Sequence, residues 1–127
     1  KDDSMNGPQD VADAVVRIPR DFEARGDASF RSLLMASGYA QEHAAVDVPM
    51  IESALRAHPE FVKDWLQHSE DKRTSAGWFL RRVGSGDWEV GYVDGGAPDQ
   101  VSVYQEELAA CAAFVKEEID AVRASVS

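Results

Sequence analysis

At 127 residues, with 44% hydrophobic and 28% charged residues, the chain has the make-up of a globular domain with one core, not of a disordered segment. Its net charge of −10 repels nucleic-acid phosphates and anionic lipid and favours a basic partner, although acidity also serves solubility. The single cysteine, Cys111, excludes an intrachain disulfide and a thiolate zinc cluster, and no apolar run approaches the ~18 residues of a membrane span.

Residues 1–8 are polar and end in Gly7-Pro8, which reads as a disordered or tag-derived terminus; residues 9–127 read as one α+β domain. Gln9 to Val16 has Val11, Ala12, Val15 and Val16 on one side, the pattern of a short helix that Pro19 stops. Asp27 as N-cap and Gly38 beyond the C-cap bracket a second helix, with Phe30, Leu33 and Leu34 as its apolar stripe. Asp47-Val48-Pro49 opens another, buried through Met50, Ile51, Ala54 and Leu55. Pro59 separates it from a helix with Phe61, Val62, Trp65 and Leu66 inward and Glu60, Lys63, Asp64, Gln67 and Glu70 outward. Residues 70–75 read as a solvated linker into the sheet.

The β part is a three-stranded antiparallel meander. Gly77-Trp78-Phe79-Leu80-Arg81-Arg82-Val83 and Trp88-Glu89-Val90-Gly91-Tyr92-Val93 flank a turn at Gly84 to Asp87. Closing the hairpin on those four residues pairs Val83 with Trp88. Phe79, Arg81 and Val83 then share a face with Tyr92, Val90 and Trp88, and Arg82 meets Glu89 as an ion pair. Apolar side chains on both faces imply that helices cover part of each, or that aromatic surface is left for a partner. After an acidic loop at residues 94–99, Val101 and Val103 mark the third strand. The last helix carries Leu108, Cys111, Ala112, Val115, Ile119 and Val122 as a stripe to lie on the sheet, with Phe114 off its centre. Cys111 among alanines reads as a small buried thiol, not a nucleophile.

The search for catalytic patterns is negative. His43, His58 and His68 lack metal-ligand spacing, and neither a Gly-x-Ser-x-Gly elbow nor a phosphate-binding loop occurs. Neither a cofactor nor a metal is therefore expected, and the chain does not read as an enzyme.

The run Gly77-Trp78-Phe79-Leu80, then Trp88-Glu89-Val90-Gly91-Tyr92, then Val103-Tyr104-Gln105-Glu106-Glu107 and Ala110-Cys111-Ala112-Ala113-Phe114-Val115 resembles bacterial immunity proteins of polymorphic and contact-dependent toxin systems. The resemblance implies a cytoplasmic, non-catalytic protein that neutralises a cognate toxin by tight binding and occlusion. Trp88, Tyr92 and Tyr104 are the expected anchors in that reading, with Asp87, Glu89, Asp94 and Asp99 as the charged surround. A regulatory or adaptor module using the same surface is the alternative. A small enzyme with a cleft between helices and sheet is a third.

Overall fold

The computed structural model describes residues 7–25, 29–71, 77–93 and 99–126. The helices come first: α1 (Pro8–Val16), α2 (Ile18–Arg25), α3 (Phe30–Ala36), the single turn α4 (Tyr39–Glu42), α5 (Val48–Ala57) and α6 (Glu60–Asp71). An antiparallel sheet of β1 (Gly77–Arg82), β2 (Trp88–Val93) and β3 (Asp99–Tyr104) follows in the order β1-β2-β3, and α7 (Glu107–Val126) closes the chain. Among the described residues no helix is long and apolar enough to cross a membrane.

Local chemistry sets most helix ends, and it shifts several expected boundaries. Gly7 and Pro8 are the N-cap and first residue of α1, not part of a loose terminus, because proline's fixed φ suits the first turn. Pro19 does not merely stop α1: it is the second residue of α2, which begins one residue earlier, at Ile18. There the Trp65 indole N–H donates to the Val16 carbonyl at 3.0 Å, satisfying a buried helix end. Ser29 caps α3 through a reciprocal bond with Ser32; Asp27, the expected cap, lies outside the described residues. Gly38 takes φ +89° just beyond α3, the left-handed turn that favours glycine. Asp47 caps α5 by accepting from the Met50 N–H at 3.1 Å. α6 runs through residues 70 and 71, so its hydrogen bonds extend into the segment read as linker.

One buried cluster joins all seven helices with β1 and β2. Its centre is α7, where every residue from Ala110 to Val115 is buried, with Glu118 and Ile119. An amphipathic cover would bury one stripe, but α7 is enclosed by the helices on one side and packs on all three strands on the other. Phe114 is fully buried, edge-on to Trp65 of α6 with centroids 6.1 Å apart.

Candidate partner-binding surface

The hairpin loop decides which side chains share a face. The Val83 N–H donates to the Asp87 carbonyl at 2.9 Å, and the Gly86 N–H donates to the Val83 carbonyl at 2.9 Å. Gly84, Ser85 and Gly86 thus form a three-residue loop, with Gly86 at φ +96° as the residue that permits it. The four-residue closure expected from the sequence is wrong by one position. The register pairs Trp78 with Tyr92, Leu80 with Val90 and Arg82 with Trp88 on one face, and Phe79 with Gly91 and Arg81 with Glu89 on the other. The ion pair is therefore Arg81–Glu89, with Arg81 Nε donating at 2.9 Å and Nη2 lying 2.8 Å from the same carboxylate oxygen.

Alternation along β2 divides the expected site between two faces, and this register sets Trp88 and Tyr92 on the face of Trp78 and Leu80. Trp88 and Tyr104 stand opposite each other on the helix-facing side, half-buried against the core. Tyr92 is on that side too, edge-on to Trp78 with centroids 5.4 Å apart. Glu89 points to the outer face, where Arg81 engages it. Asp87 closes the loop and accepts from the Ser85 hydroxyl at 3.3 Å. Asp94 lies outside the described residues, and Asp99 is described only as the first backbone position of β3. The three aromatics thus gather on one face, away from Glu89.

A cleft of about 380 Å³ opens between that face and α7. Trp78, Val90, Val101, Ser102, Tyr104 and Ala113 line it together with Glu117 of α7, which is itself exposed. Desolvation by its surroundings, and then the Asp120 charge, push the Glu117 carboxyl above the ordinary carboxylate range, against the pull of Lys116. An acid and two aromatic rings lining one cleft are the groups that receive a cation. Glu117 carries no spacing signal, and only the packing of α7 under the sheet brings it to Tyr104.

On the outer face Phe79 lies across Gly91, and the Arg81 guanidinium sits 5.1 Å from the Phe79 ring centroid. Next to them Val101 and Val103 are 41% and 60% exposed.

Other polar groups are structural. The Ser69 hydroxyl, buried on α6, accepts from the Leu80 N–H at 2.9 Å and donates to the Leu80 carbonyl at 3.1 Å, sealing the outer edge of β1. The Tyr39 hydroxyl donates to Asp120 and accepts from Lys116 Nζ at 2.8 Å, while Lys116 also reaches the Val46 carbonyl at 2.8 Å. Burial, then the Asp120 bond, raises the Tyr39 hydroxyl well above its ordinary value, so it stays a donor. His68 meets the buried Glu118 at 3.1 Å and stacks on Phe30. Burial likewise raises the Cys111 thiol, keeping it protonated and inert. No group of three or more metal-ligating side chains occurs among the described residues. No family model, curated protein or solved structure matches the chain.

Proposed function

We propose that the chain is an immunity protein that neutralises a cognate bacterial toxin by tight, stoichiometric binding and occlusion of a basic toxin surface. The observation that carries the binding part of this reading is the exposed, apolar third strand, Val101 and Val103, on a molecule of net charge −10. Apolar contact would supply affinity, and the acidic field would speed encounter and select a basic partner. The identity of the partner as a toxin rests on the resemblance of the hairpin and last helix to immunity proteins.

Co-expression with a toxin encoded beside the gene tests the reading. Rescue of growth, with a one-to-one complex on purification, is the expected result. A neighbouring product that neither harms cells nor binds this protein sinks it. The adaptor reading draws on the same surface and separates by genomic context, since it requires no toxic neighbour.

A further inference from the structure

The two edges of the sheet are treated differently. Leu80 of β1 gives both its N–H and its carbonyl to Ser69, so neither group points toward β2. In an antiparallel ladder that makes Leu80–Val90 a non-hydrogen-bonded pair, and alternation turns the N–H and carbonyl of Val90 toward β3. Val90 stands opposite Ser102, and Trp88 opposite Tyr104, so those β3 residues spend their backbone groups on β2. The N–H and carbonyl of Val103, between them, therefore point out of the sheet. Among the described residues no element lies along that edge in the way α6 lies along β1. The strand Asp99-Gln100-Val101-Ser102-Val103-Tyr104 also lacks the lysine or proline that commonly blunts an edge.

Both surfaces beside this edge are shaped for side chains of alternating character. On the outer face Val101 and Val103 are exposed. On the inner face Ser102 and Tyr104 border the cleft that holds Glu117. We propose that the edge of β3 is the docking site for an extended segment of a basic partner protein, which adds a fourth strand to the sheet. A residue opposite Val103 lies on the outer face and is apolar. Its neighbours turn inward, where an arginine reaches Glu117 and stacks on Tyr104. Charge complementarity selects this occupant over a second copy of the chain, because two molecules of net charge −10 repel each other. The proposal rests on the protein-binding reading and not on the partner's being a toxin.

The probe is an acetylated, amidated hexapeptide of alternating arginine and valine, titrated into the 15N-labelled protein. Saturable shifts at Val101 to Tyr104 and at the Trp78 indole, with slowed exchange of the Val103 N–H, are expected at peptide concentrations up to about 1 mM. The same peptide N-methylated at its valines should bind at least about tenfold more weakly, because its valine nitrogens cannot donate. Val103→Pro should weaken binding by a similar factor while amide exchange in β1, β2 and α7 stays native, since the lost N–H serves no bond within the sheet. Glu117→Gln should weaken the arginine peptide but not its citrulline counterpart. Absence of saturable shifts, equal binding by the N-methylated peptide, or a solution dimer dissolved by Val103→Pro each overturns the proposal. Toxin neutralisation that survives Val103→Pro would remove the edge and leave the immunity reading standing. Peptide binding without any toxic neighbour would do the reverse.

Discussion

Gly91 shows how one missing side chain shapes the outer face. A Cβ built there would lie 2.8 Å from Phe79 Cζ and 2.9 Å from Val101 Cγ2, closer than carbon atoms tolerate. The absence of a side chain lets the Phe79 ring close over Gly91, where it is only 7% exposed. Gly91→Val is expected to cost about 1–3 kcal/mol, because Phe79 and Val101 must both give way and Arg81 loses the ring beneath it. Urea unfolding of the two proteins measures this, and equal stability would mean that Phe79 does not rest on Gly91. Glu117 offers a second test. Its carboxyl pKa is raised in the folded state, so the folded protein holds that proton more tightly than the unfolded chain. The resulting stability is present below the unfolded carboxylate value and is lost as pH rises through the raised folded one. Glu117→Gln should therefore gain on the parent over the pH range from the unfolded carboxylate value up to the raised folded one. A stability difference that stays constant over that range would show that the carboxylate is not desolvated.

Among the elements, β1 and α6 are joined by a bond that neither periodicity nor turn chemistry indicates. Ser69 sits on the apolar side of α6, 2% exposed, where a hydroxyl is out of place unless it has partners. Its partners are the two edge-facing groups of Leu80. Ser69→Ala would leave a buried N–H and a buried carbonyl unsatisfied, and is expected to destabilise by about 2–4 kcal/mol. The Leu80 amide should also exchange faster than its strand neighbours. Unchanged protection at Leu80 would mean that another group takes over the edge. The hairpin makes a related point: its strands were legible as strands, but their register hung on one hydrogen bond. Val83 bonds Asp87 rather than facing Trp88, and that single step moves Arg81, not Arg82, opposite Glu89.

At the scale of the molecule, charge and shape act together. A net charge of −10 on a chain this small gives a field that reaches a basic partner before contact, and salt screens it over ~10 Å at about 0.1 M. Replacing Asp94 and Asp99 by lysine moves the net charge from −10 to −6, each reversal changing it by two. Association with a basic partner should slow several-fold at low salt, with dissociation much less affected, and the difference should fade as salt is added. Stopped-flow mixing across a salt series reads both rates. Association that is indifferent to the reversals would take the acidic loop out of the encounter.

The sequence by itself determined the α+β order of elements, the buried faces of α1, α3, α5 and α6, the three strands, and the burial of Cys111. These follow from local rules: apolar spacing, proline and capping positions, and glycine turns act over a few residues and leave their mark in the order of amino acids. Only the tertiary structure decided that α7 is enclosed on two sides, that Trp88, Tyr92 and Tyr104 face the helices while Glu89 faces away, that Ser69 closes one sheet edge, and that Glu117 shares a cleft with Tyr104. Each of those depends on residues far apart in the chain meeting in one register. A one-residue change in a loop reverses such a meeting while leaving every local signal intact.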